Sequence, residues 1–457
     1  MGDIVKRVLG AAVIMVALVL GMAPTAQAGG SNSSGWREVR PESPWEARAG
    51  LQAVNLHGQI LLMGGRTPTT AFYNDQPVFG ASIVYNDVWG SRNNGKTWKP
   101  RTEQAPWAAR AYFKAVKHRG AVYVLGGQNF KYGDECLPPG GIPGGVPGGI
   151  PEGVGGPPAG IEGEGGPPAG LVPTCSDFFN DVWKSRDGVT WVSATSAAPW
   201  EGRAGLSAWS HRGFLYVAGG STNDDSAIVG PGGPARKYFD DVWRSRDGVD
   251  WTEVNADAPW EARAGAATAV KGKYTYLLGG EDGFTCASGG DRCPPYFNDV
   301  WRTKNGSDWS LVTDSAGFSP RPGHQCLTVR GEIICFGGFG LPESSLAPPD
   351  PTQPFDPTAC IGEAPANPTD MWASRDGKNW RKLADNAWGS SDPADMRYDF
   401  AAVVAWGWGG PAILTFGGDQ ETFCFADPEN VERVVDDVWS YRPEKASSAM
   451  WRNWLRR

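Results

Sequence analysis

The sequence is short of helix-periodic stretches, of histidine and of positive charge, and each shortage excludes a class of protein. Formal net charge is −8 over 457 residues, so the composition lacks the basic face that a nucleic-acid surface requires. Only four histidines occur, at 57, 118, 211 and 324. None is paired at metal-ligand spacing, no CxxC is present, and no Ser-His-Asp arrangement can be assembled. Zinc and nucleophilic hydrolysis are disfavoured, and no cofactor is expected. Beyond the N-terminal segment no run approaches the ~20 apolar residues that a membrane helix needs.

That N-terminal segment has its own signature. Lys6 and Arg7 precede an apolar run from Val8 to Leu20, and Ala26-Gln27-Ala28 follows. A charged n-region, an apolar h-region and an A-x-A site predict an export signal over residues 1–28. The other reading of the segment is an uncleaved anchor. The expected location is secreted or periplasmic, with no membrane helix once the signal is removed.

What is abundant is glycine (63), proline (37) and tryptophan (22), a composition suited to many short strands joined by turns. A single pattern recurs six times. It opens on Arg48, Arg110, Arg203, Arg263, Arg321 and Arg397. A Gly-Gly pair follows, beginning at Gly64, Gly126, Gly219, Gly279, Gly337 and Gly417. Then comes Asp-Val-Trp, once Asp-Met-Trp, ending at Trp89, Trp183, Trp243, Trp301, Trp372 and Trp439. From arginine to glycine the spacing is 16 residues in the first five copies and 20 in the last. A fixed internal period sets the architecture before any local reading does.

The third copy shows the unit. Gly205 to Ser210 reads as a strand, Arg212-Gly213 as a two-residue turn, and Phe214 to Gly219 as an apolar, doubly buried strand. Tyr238 to Arg244 is a third strand, Ser245-Arg-Asp-Gly-Val a tight turn, and Asp250-Trp251-Thr-Glu-Val a fourth. Four antiparallel strands at a regular period describe a propeller blade. With its Gly-Gly pair after the second strand and aromatics on later strands, the chain resembles the kelch-repeat, galactose oxidase-like family over residues 36–442. The resemblance implies an all-β, six-bladed propeller. Trp36-Arg-Glu-Val looks like a fourth strand with no blade before it, and the last copy ends after three strands at Tyr441. The N-terminal strand is therefore expected to close the sixth blade. Residues 29–35 form a linker and 443–457 a tail. The turn Ser91 to Trp98 resembles the Asp-box of sialidase propellers, but the other copies are one residue shorter, so it reads as a shared turn solution.

Eight cysteines in an exported chain predict disulfides. Cys326 and Cys335 flank Arg330-Gly331 symmetrically and should face each other as a close, non-hydrogen-bonded pair. Cys286 and Cys293 share a loop, Cys136 and Cys175 bracket an insertion, and Cys360 and Cys424 remain to join blades 5 and 6. The insertion, 137–174, repeats Pro-Gly motifs at a period of four, which excludes collagen. It is either a tethered flap or a loop expansion. The tail, Met450-Trp-Arg-Asn-Trp-Leu-Arg-Arg457, is basic and aromatic. It either packs on its own domain or makes weak contact with a membrane surface.

The arginines open the inner strand of each blade and the variable loops follow the Gly-Gly pairs, so both should lie on one face, the arginines as a ring at the channel mouth. Either each pairs with a carboxylate or carbonyl between blades, or some face the channel and bind a carboxylate ligand. Asp224, Asp225, Glu281, Asp282, Asp419 and Glu421 lie just after Gly-Gly pairs, and Phe130, Tyr132, Phe284 and Phe339 occupy equivalent loops. His324 is expected near this rim, the other histidines on the surface at the opposite face. The leading expectation is a binding module for a glycan or protein ligand through one rim, without catalysis. The ligand-binding candidates are the six arginines with Asp224, Phe284 and Asp419. The alternative is a sugar-acid isomerase similar to the N-acetylneuraminate epimerases (mutarotases), with Glu281 or Asp282 moving the proton.

Overall fold

The computed structural model describes residues 35–69, 71–73, 76–78, 81–132, 174–222, 237–283, 295–340, 367–407, 409–421 and 433–443. These build six four-stranded antiparallel sheets. Blade 3 is representative, with strands Ser207–His211, Phe214–Ala218, Val242–Ser245 and Trp251–Asn255 in that order across the sheet. The six first strands are Gln52–Leu56, Lys114–His118, Ser207–His211, Ala267–Lys271, Gln325–Val329 and Ala401–Gly407. Each contacts the first strand of the blades on either side, so together they line the central channel. The last blade closes as its sequence requires: Trp36–Arg40 pairs antiparallel with Val434–Tyr441, placing Trp36 opposite Tyr441. Closure of this kind leaves no open sheet edge between the first and last blades.

The Gly-Gly pair is what lets neighbouring blades touch. Gly64 and Gly65 have φ of 59° and 101°, a region that glycine enters without steric cost. A Cβ on Gly64 would lie 2.5 Å from Phe113 of the next blade, and one on Gly65 2.8 Å from the Ala49 carbonyl. The Gly65 N–H donates to the Arg110 carbonyl of blade 2 at 3.0 Å. Apolar side chains fill the wedge between blades: Val54, Leu61 and Met63 of blade 1 pack with Phe113, Val122 and Val124 of blade 2. The tryptophans of the Pro-Trp dipeptides, Trp45, Trp107, Trp200 and Trp260, are buried.

The longer spacing in the last copy has a simple form. The inner hairpin of blade 6, Ala401–Gly407 and Gly410–Asp419, starts the same four residues after its arginine as in blade 1 but runs two residues further on each strand before turning back. Its tip therefore projects roughly 7 Å past the corresponding turns.

Cys326 and Cys335 form a disulfide across the first hairpin of blade 5, directly opposed and with Cα atoms 4.2 Å apart. Cys175 is also disulfide-bonded. Cys136, Cys286, Cys293, Cys360 and Cys424 lie outside the described residues, as do residues 444–457 of the tail and all of the insertion but its last residue. Among the described residues no helix is long and apolar enough to cross a membrane.

Two expectations for histidine need correction. His118 and His211 are buried, not on the surface. His118 bonds Ser210 Oγ at 2.8 Å and the Arg246 carbonyl at 2.9 Å, and His211 bonds Thr275 Oγ1 at 3.0 Å. All three partners belong to the next blade, so these imidazoles act as inter-blade bridges. Only His57 is exposed, and it too reaches the next blade, at the Gly120 carbonyl.

Candidate functional site at the channel mouth

The six repeat arginines are buried, and their forks are taken by carboxylates of their own blades. Arg48 donates to both oxygens of Asp87 at 2.6 and 3.1 Å, and Arg110 to both oxygens of Asp181 at 2.7 and 3.0 Å. Arg203, Arg263 and Arg397 engage Asp241, Asp299 and Asp437 in the same two-pronged way, while Arg321 reaches Asp370 with one bond of 2.8 Å. Each also donates to the carbonyl of the first glycine of its own Gly-Gly pair. The guanidiniums of Arg48, Arg110, Arg203 and Arg263 stack 3.8 to 4.1 Å over Tyr85, Phe179, Phe239 and Phe297.

The aspartate serves a second donor, the indole of its own motif: Trp89, Trp183, Trp243, Trp301 and Trp439 donate Nε1–H at 2.7 to 2.8 Å. Arginine, aromatic, aspartate and tryptophan thus form one latch in each of blades 1 to 4; blade 6 stacks its arginine on Trp388 instead, and blade 5 keeps the arginine–aspartate pair without the indole bond. The carboxylate that each arginine meets is the protein's own, supplied within the blade and not between blades.

The mouth is framed by the residue two places after each arginine. Gly50, Tyr112, Gly205, Gly265, Gly323 and Asp399 are joined in a closed ring, each donating its N–H to the carbonyl of the one before at 2.8 to 3.0 Å, with Gly50 donating to Asp399. Every member has positive φ. Four are glycine, for which this is free; Tyr112 (φ 54°) and Asp399 (φ 49°) hold a conformation that costs L-residues of order 1 kcal/mol. Both exceptions flank blade 1. With strand-like spacing between neighbours, the ring is roughly 10 Å across between opposite Cα atoms, wide enough for a small polar group and too narrow for a sugar ring.

Outside this ring stands a second set, the residue directly after each Gly-Gly pair: Arg66, Gln128, Ser221, Glu281, Phe339 and Asp419. Each pairs by backbone with the residue directly after the arginine, so the six positions are equivalent while their chemistry differs completely. Arg66 and Asp419, from the first and last blades, meet at 3.2 Å. Arg66 also donates to Tyr112 Oη at 2.6 Å and to Ser82 Oγ at 3.2 Å, and lies 3.9 Å from Glu421. Burial pushes the Asp419 carboxyl up and Arg66 opposes that rise. The hydroxyl of Tyr398 is raised by burial and by Asp419 and Glu421. Phe339 is buried between Tyr296 and Tyr398, at ring distances of 6.0 and 5.4 Å.

Lys114 is a candidate group that sequence reasoning missed. It begins the inner strand of blade 2, where the equivalent positions carry Gln52, Ser207, Ala267, Gln325 and Ala401. It is half-buried, and among the described residues its ammonium makes no hydrogen bond or ion pair. Burial lowers its pKa, and Asp399 of blade 6 partly restores it. Its charge also bears on His324 of blade 5, so the ammonium acts across the channel. The available signal was the misfit itself, a charged residue where the other copies have short or neutral ones.

The remaining candidates divide. Glu281 ends its strand at the second ring, next to Asp282, with its backbone paired to Ala264. Asp224, Asp225 and Phe284 lie outside the described residues. His324 is not at the rim. It occupies the inter-blade core position filled elsewhere by Leu51, Phe113, Leu206, Ala266 and Phe400, beneath Gly279. Burial, Arg321 and Lys114 together hold its pKa down to about 3. Among the described residues no group of three or more His, Cys, Asp or Glu is placed to hold a metal ion.

A solved structure similar to this chain is that of YjhT. The two share 17% identity at a TM-score of 0.53, over 88% of this chain and 96% of that one. At that identity the likeness supports the propeller fold and nothing finer. No family model matches the chain, and no curated protein matches it either.

Proposed function

We propose that this chain is an exported, kelch-type propeller that binds a carboxylate-bearing glycan at the loop-face mouth of its channel, without catalysis. The observation that carries the reading is the Lys114 ammonium, held in the channel with no direct counter-ion among the described residues. A partly desolvated cation of this kind is met most favourably by an anion with acceptor oxygens. Around it the wall is fixed: Arg66 is held by Asp419 and Tyr112, and the ring residues are locked by backbone bonds. Pre-organised walls lower the ordering cost of binding. The ring admits the carboxylate, while the sugar rests on the unequal loops outside, where Phe130 is half-buried and Tyr132 exposed. The repeat arginines support these walls through their aspartates and do not touch the ligand.

Saturation-transfer NMR or calorimetry against a panel of sugar acids and neutral glycans tests the proposal. Carboxylated sugars should bind and their neutral counterparts should not, and Lys114→Met should weaken binding at least tenfold while leaving the melting temperature nearly unchanged. Equal binding of neutral sugars, or full affinity in Lys114→Met, would overturn it.

One observation favours the sugar-acid isomerase as the second reading. Lys114, with a lowered pKa, and the carboxyl of Asp419, with a raised one, are groups whose environments push them toward neutrality, as acid–base pairs require. Glu281 and Asp282 are the other carboxylate candidates for that role. Anomer exchange of a sugar acid followed by NMR separates the readings, since a pure binding module leaves the exchange rate unchanged.

A further inference from the structure

The face opposite the channel mouth carries the two turns of each blade, and its charge is at odds with the acidic chain. The residue that follows the third strand is Arg92, Arg186, Arg246, Lys304, Arg375 and Arg442 in blades 1 to 6, and all six are exposed. The first-hairpin turns add Arg119, Arg212, Lys273 and Arg330, also exposed. The acidic residues among them do not balance this. Asp187, Asp247 and Asp376 are exposed on the same face and accept N–H groups of their own turns, but with the other acids of the face they are outnumbered by these ten cations: Val189 and Thr190 donate to Asp187 at 2.8 Å, Val249 to Asp247 at 2.9 Å, and Lys378 to Asp376 at 2.9 Å. Glu332 is taken by Arg375 and Arg381, and Asp250 and Asp308 are exposed on the same face. Between blades 2 and 3 the surface opens into a cavity of about 500 Å³, where Arg119, Lys184, Arg186 and Arg246 outnumber the carboxylates of Asp187 and Asp247.

A second observation concerns apolar groups on this face. The overlong hairpin of blade 6 projects from it and carries Trp406, which is 73% exposed. Basic side chains flank the hairpin: Arg330 donates to the Gly409 carbonyl at 3.4 Å, and the Arg442 guanidinium lies against Gly407 and Gly409. Val189 and Val249 stand exposed at turn tips on the same face. The described residues end on this side at Pro443, and the sequence beyond contains Trp451, Arg452, Trp454, Arg456 and Arg457.

We propose that the turn face docks on an anionic lipid bilayer, with Trp406 entering the headgroup layer and the cation ring lying over the lipid phosphates. A flat face with cations spread around a ring, a protruding tryptophan and arginines beside it suits a planar anionic surface. A nucleic acid or acidic peptide would be met by a groove or stripe of charge and would gain little from a lone projecting indole. Docked in this way, the propeller presents its channel mouth away from the membrane.

Co-sedimentation of the mature protein with vesicles tests this. Binding is expected to vesicles of phosphatidylglycerol mixed with phosphatidylcholine, to be absent with phosphatidylcholine alone, and to fall as salt rises. Arg186→Gln combined with Arg246→Gln should lower affinity by about twenty- to thirtyfold, roughly fivefold per neutralised cation, and Trp406→Ala should lower it further. All three side chains are exposed, and an unchanged melting temperature verifies folding. The tail is examined in the same assay with Trp451→Ala and Trp454→Ala in the full chain. Binding that depends on the tail alone and is indifferent to Trp406 and the ring overturns the proposal. So does equal binding to neutral vesicles, or retention on heparin with no binding to anionic vesicles.

Discussion

The propeller has two sixfold sets of basic residues, and they meet opposite fates. On the loop face the repeat arginines are buried, stacked on aromatics and clamped by aspartates. On the turn face the residues after the third strands are exposed to water, and Arg375 among them is paired with Glu332. The chemistry is nearly the same, so the difference is one of surroundings. A buried guanidinium has lost its hydration and depends on its carboxylate; an exposed one interacts through a high dielectric and contributes little to stability. The first set is therefore scaffold, and the second is free to serve recognition.

The largest expected effect breaks the buried set. Arg203→Ala removes one partner from a pair whose arginine is 1% exposed and leaves Asp241 facing the Trp243 indole without its cation. The cost should be about 3 to 5 kcal/mol, as for other broken buried pairs, read from the shift of the urea midpoint. Arg203→Lys should recover only part of it, because an ammonium cannot span both carboxylate oxygens and does not stack flat on Phe239. A loss below ~1 kcal/mol would mean that the latch is not what holds the blade.

How far this division could be read from sequence follows from where its parts lie. The blades were legible because the signals are local: a Gly-Gly pair, a two-residue turn and an Asp-Val-Trp strand fall within one period. The closing strand was legible from Trp36 alone, as a fourth strand without a blade. The arginine–aspartate latch was written in the same repeat, since every arginine has its Asp-x-Trp, but arginine and aspartate are 36 to 71 residues apart and spacing does not show which groups meet. The mouth was least legible. Arg66 and Asp419 are 353 residues apart, and only closure of the ring brings them together. Lys114, Tyr112 and Asp399 are single departures from the repeat, and a reading tuned to what recurs passes over them.

An intermediate effect tests whether an inner position tolerates a titratable group at all. His324 stands where other blades place leucine, phenylalanine or alanine, and burial holds it neutral with a pKa of about 3, below its ordinary value of 6.5. A folded-state pKa below the unfolded one means that the stability is fully present above pH 6.5 and is lost as pH falls toward 3. Each pH unit in that window costs about 1.4 kcal/mol. His324→Leu should therefore change little at pH 7.5 and raise the urea midpoint progressively from pH 6 to pH 4. An unchanged slope of stability against pH in that variant would show that the imidazole is not the group being protonated.

The smallest expected effect is the one that sharpens the comparison most. Arg246→Gln removes a cation of the exposed set whose described contact is with the face of Phe214, 4.5 Å away. Loss of that contact, and of attraction to Asp187 and Asp247 in the cavity between blades 2 and 3, is offset by relief of repulsion from Arg119 and Arg186 in the same cavity and from Arg244, which shares the Phe214 ring at 4.7 Å. Stability should move by no more than about 0.5 kcal/mol in either direction, and the change should shrink further in high salt because the repulsion it relieves is screened there. Placed beside Arg203→Ala, the pair of variants measures one residue type in two settings. If Arg246→Gln instead cost several kcal/mol, the exposed ring would be carrying the fold as the buried one does, and a face committed to holding the blades together would not be free to meet a membrane.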